Sequence, residues 1–196
     1  MALPKLIVVF GATGKQGGSV VDSFLNDPGW QIRGITRNKS SEEARALAAC
    51  DVDVAEADLD NPSTLPPVTR NANAIFAVTN FWDSFFDPAT PSRLKSGQDV
   101  GEYARDYELQ QFKNVIDAAA QVTSLERLVI SAASDVTKWS RGKYTHSRHF
   151  DSKAWAVEYC ETQHPKLWAK TSVFMAGFFL DNFAGDPVFR PVKVYT

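Results

Sequence analysis

The sequence predicts an α/β fold in which a doubly wound parallel sheet is covered by helices on both faces. Two observations lead to this prediction: six short apolar segments alternate with segments of helical periodicity, and a glycine-rich turn follows the first apolar segment. Strands that alternate with helices at this spacing form right-handed βαβ units, which place their strands parallel in one sheet. A chain of 196 residues, 44% of them apolar, is long enough to bury the core of such a sheet.

The strands are predicted from runs of apolar and β-branched residues. The first run, Lys5 to Phe10, has no alternating polar positions, which is typical of a strand buried on both faces. Five further strands are predicted over residues 30–36, 52–57, 74–79, 125–131 and 171–174.

The helices are predicted from apolar residues repeated at intervals of three and four. The first extends from the glycine turn to Asp27-Pro28-Gly29. Ser40 and Glu43 have the spacing of a capping box, which predicts a second helix ending near Cys50. Two more helices are predicted over residues 100–121 and 150–162.

Composition and charge exclude several classes of function. With 21 basic and 23 acidic residues the net charge is −2, so we expect neither direct binding to nucleic acid nor attachment to an anionic membrane. The two cysteines, Cys50 and Cys160, are too few for a disulfide framework or a cysteine-based metal centre. We therefore expect reduced thiols, no metal site, and a location in the cytoplasm or the nucleus. The apolar run from Leu3 to Phe10 is too short to span a membrane.

A turn with three glycines joins the first strand to the first helix. Gly11, Gly14 and Gly17 recur at intervals of three, in the strand–turn–helix context of a dinucleotide-binding loop. Glycine permits a tight turn and a close approach of phosphate to the backbone, and the helix N-terminus supplies N–H donors. The predicted loop contacts also include Thr13, Lys15 and Gln16. The alternative is a structural glycine turn without a ligand.

The residues after the second strand favour NADP(H) over NAD(H). A site specific for NAD(H) usually has a carboxylate there, which accepts hydrogen bonds from the ribose hydroxyls. This chain has Arg37-Asn38-Lys39 instead, and a guanidinium pairs well with a 2′-phosphate. After the third strand, Asp58 is expected to accept a hydrogen bond from the adenine amino group while Leu59 packs on the ring. The alternatives are that Arg37 is a solvated cation and that Asp58 is a loop acid or helix N-cap.

Several motifs occur in a fixed order along the chain. They are the glycine turn over 11–19, Arg37, Asp58-Leu59, Thr79-Asn80-Phe81-Trp82, Glu108-Leu-Gln-Gln111 and His149-Phe-Asp-Ser-Lys153. This ordered set resembles the NmrA-like family of atypical short-chain dehydrogenases/reductases, and Glu108-Leu-Gln-Gln111 is similar to its fungal members. The resemblance implies a Rossmann fold joined to a smaller substrate-binding part, in a family of redox-sensing regulators and NADPH-dependent reductases. It also implies that the nicotinamide half of the cofactor contacts Thr79, Asn80, Phe81, Lys153, Phe179 and Asn182.

One departure from the wider superfamily bears on catalysis. Typical short-chain dehydrogenases carry Tyr-x-x-x-Lys, in which the tyrosine donates a proton to the substrate and the lysine lowers its pKa. Here His149 stands four residues before Lys153, one helical turn away on the same face. A histidine can relay a proton near neutral pH, but our default expectation is that Lys153 only anchors the cofactor ribose. Ser131, at the end of the fifth strand, is either a substrate-orienting serine or an ordinary strand-end residue.

The chain is predicted to divide near residue 170. Residues 1–170 are expected to form the NADP(H)-binding Rossmann domain, with a long loop insertion over 80–99. Residues 171–196 are expected to form the last core strand and the start of a truncated substrate-binding portion, since the family continues for longer. Either the chain is a fragment or an alternative product, or its late aromatic residues are covered by oligomerisation. The alternative is that these residues complete the core of the sheet, as expected for Val173 and Phe174 but less for residues 178–183.

Two functions are consistent with these motifs. The first is a regulator that binds NADP(H), orders the loop after the fourth strand, and reports the redox state to a protein partner. The second is an NADPH-dependent reductase of a small carbonyl, quinone or enone, in which Lys153 assists proton transfer. A third interpretation is a scaffold whose cofactor site is vestigial.

Overall fold

A computed structural model describes residues 3–180 and 182–185 of the chain. The strands are β1 (Lys5–Phe10), β2 (Trp30–Thr36), β3 (Asp53–Glu56), β4 (Ala74–Ala77), β5 (Arg127–Ser131) and β6 (Thr171–Phe174). The α-helices are α1 (Lys15–Phe24), α2 (Glu42–Ala48), α3 (Leu65–Thr69), α4 (Phe81–Phe86), α5 (Val100–Ala120), α6 (Val136–Trp139), α7 (Arg148–Gln163), α8 (Pro165–Trp168) and α9 (Asn182–Gly185). Short 3₁₀ turns lie at Pro62–Thr64 and Thr90–Arg93.

The strands form one parallel sheet in the order β3-β2-β1-β4-β5-β6. Strands β2 and β3 lie in succession on one side of β1, and strands β4, β5 and β6 lie in succession on the other side. The direction in which strands are added therefore reverses at β1. In open sheets of this kind, ligands bind in the crevice outside the carboxyl ends of the strands at the point of reversal. The predicted doubly wound parallel sheet is confirmed.

Apolar residues of β1 alternate between two cores, one on each face of the sheet. Val8 and Phe10 belong to the larger core, together with Phe112 of α5. Ile7 and Val9 belong to the smaller core, which α1 and α2 cover. All four β1 side chains are at most 4% exposed, and burial of each stabilises the fold by roughly 1.5–3 kcal/mol. Burial on both faces explains why the run lacks polar positions.

The helix after β2 is capped one residue later than the sequence predicted. The side chain of Ser41, not Ser40, accepts a hydrogen bond from the Ala44 N–H at 3.2 Å. The N–H of Ser40 donates to Oδ1 of Asn38 at 2.9 Å, which holds Ser40 in the preceding turn. The capping box predicted from Ser40 and Glu43 is therefore wrong, because the third helical residue after the Ser41 cap is Ala44, which has no side-chain acceptor to complete a box.

Residues 80–99 are more regular than the predicted loop insertion. Asn80 caps α4, because its Oδ1 accepts a hydrogen bond from the Trp82 N–H at 3.2 Å. The 3₁₀ turn at Thr90–Arg93 follows, and Asp99 then caps α5 in a capping box. The segment after β4 is therefore a capped helix held over the sheet, and it places Asn80 and its neighbours at the edge of the crevice.

The predicted division near residue 170 stays a prediction. β6 pairs in parallel with β5 and so completes the same sheet, whereas residues 186–196 lie outside the described residues. In the part of the chain that the structure describes, no helix is both long and apolar enough to cross a membrane.

Candidate functional site

The glycine turn between β1 and α1 brings backbone segments unusually close together. Gly11 has a φ of 65°, in the left-handed region that favours glycine. The N–H of Gly14 donates to the carbonyl oxygen of Gly11 at 2.9 Å. A Cβ at Gly17 would lie 2.2 Å from that same oxygen, so a side chain at this position is incompatible with the close packing of α1. The turn therefore leaves bare backbone at the carboxyl end of β1.

The first turn of α1 is electrostatically suited to an anion. Gly14 is the N-cap, no side chain caps the helix, and the first turn contains no acidic residue. The first N–H groups of a helix have no partner within it and carry a partial positive charge. Thr13 and Lys15 are exposed beside these groups. Of the predicted loop residues, Gly11, Thr13, Gly14 and Lys15 are thus exposed at this turn, whereas Gly17 is buried.

Gln16 joins the start of α1 to the end of β5. Its Oε1 accepts a hydrogen bond from Oγ of Ser131 at 2.7 Å, which brings a predicted loop contact and a predicted catalytic candidate together. Its Nε2 is buried and has no hydrogen-bond partner among the described residues. A buried donor without an acceptor costs about 1–3 kcal/mol. An oxygen of a ligand in the crevice fits this unused donor.

Arg37 forms an ion pair with the first turn of α4. Its Nη2 lies 3.0 Å from Oδ2 of Asp83. The other carboxylate oxygen, Oδ1, accepts a hydrogen bond from Nδ2 of Asn80 at 2.6 Å. Arg37 follows β2 and Asp83 follows β4, the two strands that flank β1. The ion pair therefore connects the two sides of the crevice.

Asn38 and Lys39 shape the turn after β2. Asn38 uses its side-chain oxygen within the turn, as described above, and the N–H of Lys39 donates to Oε2 of Glu56 at 3.2 Å. The Lys39 side chain is exposed, and the Glu56 carboxylate lies against the backbone of the same turn.

Asp58 and Leu59 lie in the loop after β3. Oδ1 of Asp58 accepts a hydrogen bond from the Asp60 N–H at 3.0 Å, and Leu59 packs against the larger core. The cap of the following 3₁₀ turn is Asn61, so the alternative of Asp58 as an N-cap is wrong for that turn. The Asp58 side chain is exposed, and its contact with an adenine stays a prediction.

A buried carboxylate, Glu108 of α5, joins the end of β4 to α7. Its Oε1 accepts hydrogen bonds from Oγ1 of Thr79 at 2.6 Å and from Nζ of Lys153 at 2.5 Å. Its Oε2 accepts a hydrogen bond from the Ser152 hydroxyl. Two residues predicted to contact the nicotinamide half, Thr79 and Lys153, are thus held on the same oxygen atom.

Sequence reasoning missed this role of Glu108. The residue lies four positions before Phe112, on the apolar stripe that α5 turns toward the sheet, and its exposure is 0%. Charged side chains are rarely buried unless they are paired. A single carboxylate on an otherwise apolar stripe was therefore the signal that could have identified it.

The His149 ring packs in an aromatic cluster formed with Phe81, Trp82 and Phe150. Their ring centroids lie 5.8, 5.1 and 4.8 Å from that of the imidazole. Burial, and then the charge of Lys153, lowers the pKa of His149 below its usual 6.5. The hydrogen bond between these two residues joins Nζ of Lys153 to the His149 backbone oxygen, at 3.3 Å.

Phe179 and Asn182 lie beyond β6, and their place beside a nicotinamide stays a prediction. The N–H of Asn182 donates to the carbonyl oxygen of Phe179 at 3.0 Å, where α9 begins. The Phe179 side chain is 42% exposed. Asp181, between them, lies outside the described residues.

The described ranges also contain a cavity away from the glycine turn, and they contain no cluster of side chains placed to bind a metal ion. A cavity of about 510 Å³ lies at the opposite edge of the sheet, where Arg70 and Ser124 precede β4 and β5, and it shares no residue with the crevice. Residues 3–180 and 182–185 contain no group of three or more His, Cys, Asp or Glu side chains placed to hold a metal ion.

The sheet order and the glycine turn at its point of reversal define a Rossmann-type α/β domain. The chain belongs to the NmrA-like family, whose family model matches residues 4–193. The resemblance predicted from the motifs is therefore confirmed.

Among curated proteins, the chain is similar to fungal members of the family. It is 29% identical over 184 residues to an NmrA-like family domain-containing oxidoreductase of Aspergillus flavus, covering 94% of this chain and 50% of that protein. A relative of the same description from Aspergillus hancockii is 28% identical over 182 residues, covering 93% and 49%. The chain thus spans about half the length of these curated relatives.

Among solved structures, the fold is similar to that of NmrA, a negative transcriptional regulator. The TM-score is 0.70 at 18% identity, covering 91% of this chain and 47% of that one. Complexes of NmrA with NAD and with NADP give TM-scores of 0.63 and 0.61, at 16% and 17% identity, each covering 89% of this chain and 45% of that one. At these identities the similarity establishes the fold.

Proposed function

We propose that this chain binds NADP(H) in the crevice at the carboxyl end of β1. The observation that carries the proposal is the glycine turn, where the close packing of Gly17 on Gly11 leaves bare backbone that a phosphate can approach. The uncapped first turn of α1 offers N–H donors to a pyrophosphate. The unpartnered Nε2 of Gln16 is a further donor beside it. The complexes of NmrA with NAD and NADP support a nicotinamide dinucleotide as the ligand.

The preference for NADP(H) over NAD(H) is inferred from the basic turn after β2. Arg37 and Lys39 are both exposed there, and residues 36–41 contain no acid that would accept hydrogen bonds from a ribose. A guanidinium can pair with two phosphate oxygens at once, which a ribose hydroxyl does not offer. Arg37 is therefore the residue assigned to the 2′-phosphate.

We propose that the protein acts as a redox-responsive regulator that binds the cofactor without turnover. In support of this, Lys153 is paired with Glu108, Ser131 with Gln16, and the His149 ring lies among aromatic side chains. These contacts do not connect the three catalytic candidates into a path that delivers a proton to a substrate. The tyrosine of Tyr-x-x-x-Lys is absent as well. Binding requires only the turn and the basic residues.

The alternative is an NADPH-dependent reductase of a small carbonyl, quinone or enone. It is favoured by the description of the fungal relatives as oxidoreductases and by the ammonium group of Lys153, which Glu108 holds near the end of β4. Bound NADPH supplies the hydride that reduces the substrate carbon. Lys153, assisted by His149 or Ser131, would then deliver the proton that the substrate oxygen takes up, and the aromatic residues of α4 would wall the pocket.

Isothermal titration calorimetry on the 196-residue chain tests the cofactor assignment. NADPH and NADP⁺ are expected to release heat on binding, and NADH and NAD⁺ to bind more weakly. Arg37→Gln should lower the affinity for NADP(H) about tenfold or more, because it removes charge-assisted hydrogen bonds. The affinity for NAD(H) should remain nearly unchanged. Arg93→Gln is a matched control, since Arg93 also forms a 3.0 Å ion pair but with Asp87. If neither NADPH nor NADP⁺ releases heat on titration, the proposal is wrong.

Two measurements separate the regulator from the reductase. A sensor must bind NADPH and NADP⁺ with different affinities, because a ligand shifts an equilibrium only through differential affinity. Equal affinities therefore count against the regulator. Consumption of NADPH with aldehydes, quinones or enones, abolished in Lys153→Ala while binding is retained, would favour the reductase.

The partner and the location are proposed on more general grounds. We infer a location in the cytoplasm or the nucleus, and a protein partner, a small substrate or a second copy of the chain as the binding partner. Met175 and Leu180 are 55% and 80% exposed and support an apolar contact surface near β6. Light scattering across a range of protein concentrations tests self-association, and a fluorescent fusion tests the location.

A further inference from the structure

We infer that Asp83 is a specificity-determining residue, which competes with the 2′-phosphate of NADP(H) for Arg37. The inference rests on the proposed binding of NADP(H) in the crevice. Its basis is the 3.0 Å ion pair between Nη2 of Arg37 and Oδ2 of Asp83. The guanidinium assigned to the phosphate is thus already paired with a carboxylate of the protein.

The carboxylate is the fixed partner of this pair. Oδ1 of Asp83 accepts a hydrogen bond from Asn80, and Asn80 in turn caps α4 at the Trp82 N–H. Phe81, within the same turn, is only 3% exposed and anchors the helix. The Arg37 side chain, in contrast, is 72% exposed and can turn toward another anion.

The ion pair lies where a dinucleotide would pass. Arg37 and Asp83 follow the two strands that flank β1, and the glycine turn lies between those strands. The end of β4 is in direct contact with that turn, because a Cβ at Gly11 would lie 2.8 Å from Cγ1 of Val78. A ligand on the turn that reaches Arg37 therefore also meets the field of Asp83.

The two cofactors differ in how they interact with this carboxylate. A 2′-phosphate carries a charge of about −1.5 to −2. It can bind Arg37 only if the ion pair between Arg37 and Asp83 breaks, and the free Asp83 carboxylate then repels it. A 2′-hydroxyl carries no charge and can donate a hydrogen bond to the carboxylate. Asp83 thus lowers the affinity for NADP(H) relative to the affinity for NAD(H). It therefore reduces the preference for NADP(H) that Arg37 creates.

Asp83→Asn tests this inference in the full chain. Asparagine keeps the acceptor for Asn80 and removes the charge. The probes are adenosine 2′,5′-bisphosphate and 5′-AMP, which differ only in the 2′-phosphate, with affinities measured by calorimetry. The variant should bind the bisphosphate about three- to tenfold more tightly, as expected for loss of an exposed ion pair and of one repulsive charge. It should bind 5′-AMP equally well or slightly more weakly, because the 2′-hydroxyl loses a charged acceptor.

Two further variants make the result specific to the ion pair. Asp87→Asn removes the same charge at the end of α4 from a carboxylate that pairs with Arg93, so it should leave both affinities unchanged. In an Arg37→Gln background, Asp83→Asn should lose most of its effect, since residues that interact show non-additive changes.

An unchanged ratio of the two affinities in Asp83→Asn would overturn the inference, as would an equal effect of Asp87→Asn. These outcomes leave the proposed cofactor binding intact if the wild-type chain binds NADP⁺. If the wild-type chain binds neither probe nor NADP⁺, the proposed function fails and the role of Asp83 fails with it.

Discussion

Nζ of Lys153 lies 2.5 Å from Oε1 of Glu108, a carboxylate with no exposure to solvent. Thr79 and Ser152 donate to the same carboxylate. Removing one partner of a buried ion pair is costly because the other charge is then left without compensation. This contact therefore both stabilises the packing of α5 on α7 and sets where the Lys153 ammonium group lies relative to the end of β4.

Replacing Glu108 by glutamine should destabilise the protein by about 2–4 kcal/mol. Glutamine has no charge and only one acceptor oxygen, so the Lys153 ammonium group would lose its counter-charge in a buried position. Urea denaturation measures the change. Glu158→Gln, which alters an exposed acid on α7, is the control and should change the free energy of unfolding by less than about 0.5 kcal/mol.

The double variant Glu108→Gln, Lys153→Met tests whether the two side chains are energetically coupled, because it removes both charges of the pair. Removing both charges of a buried pair is usually less harmful than removing one. The double variant should therefore be more stable than Glu108→Gln alone. If the two single losses of stability simply add, the two side chains are not energetically coupled.

The sheet was predictable from the sequence because its central strands, β1 and β4, are buried on both faces. A run such as Lys5–Phe10 leaves few alternatives once a glycine turn and a helical pattern follow it. The short helix α4 was not predictable in the same way, because Phe81–Phe86 spans fewer than two helical turns. Its pairs Phe81/Phe85 and Trp82/Phe86 have the i, i+4 spacing of a helix, but six residues are too few to establish a period. Its six residues are stabilised by the Asn80 cap and by packing, which a local pattern does not report.

The candidate site was predictable where its chemistry is local. The three glycines act within seven residues, so their spacing alone indicated the turn. The partners of the other residues were not predictable, because Asp83 lies 46 positions after Arg37 and Lys153 lies 45 positions after Glu108. Such contacts depend on how the sheet brings distant loops together, and a single sequence carries no direct record of them.

Gly17→Ala and Gly18→Ala should have opposite effects on stability and binding. A methyl group at Gly17 would overlap the carbonyl group of Gly11, whereas at Gly18 it would lie 3.5 Å from the Ala12 oxygen, an ordinary contact. Gly17→Ala should thus destabilise the fold and weaken NADP(H) binding. Gly18→Ala should be neutral or stabilising by up to about 1 kcal/mol, because alanine favours a helix. Thermal unfolding and calorimetry measure both, and similar behaviour of the two variants would contradict the close packing at Gly17.

Stability should fall on acidification partly through His149. Burial lowers the pKa of His149 in the folded protein below the usual 6.5, so the unfolded chain binds the proton more readily. The contribution of His149 to the free energy of unfolding is fully present above about pH 6.5, and it is lost as the pH falls toward the lowered pKa of the folded protein. His149→Phe keeps a ring in the aromatic cluster and removes the titrating group. Urea denaturation at about pH 7.5 and about pH 5.5 should show a smaller loss of stability in the variant than in the wild type; an equal loss would exclude this residue as a source.

Gln16 should lower the stability of the fold and raise the affinity for the cofactor. Its Nε2 is a buried donor without a partner in the described part of the chain, and its Oε1 is bonded to Ser131. Replacing both residues, in Gln16→Met with Ser131→Ala, removes the unsatisfied donor together with the hydroxyl that would otherwise lose its acceptor. The free energy of unfolding should then remain within about 1 kcal/mol of the wild type or increase, since replacing both partners by apolar groups is nearly neutral.

The affinity for NADP⁺ should fall several-fold in the same double variant, because the ligand oxygen that would accept from Nε2 loses its donor. Gln121→Met is the control, since Gln121 is an exposed residue beside the cavity at the opposite edge of the sheet, and it should leave the affinity unchanged. Chemical denaturation and calorimetry on the same preparations give both quantities. A double variant that loses stability by more than about 2 kcal/mol, or that binds NADP⁺ as tightly as the wild type, would show that Gln16 serves the fold and not the ligand.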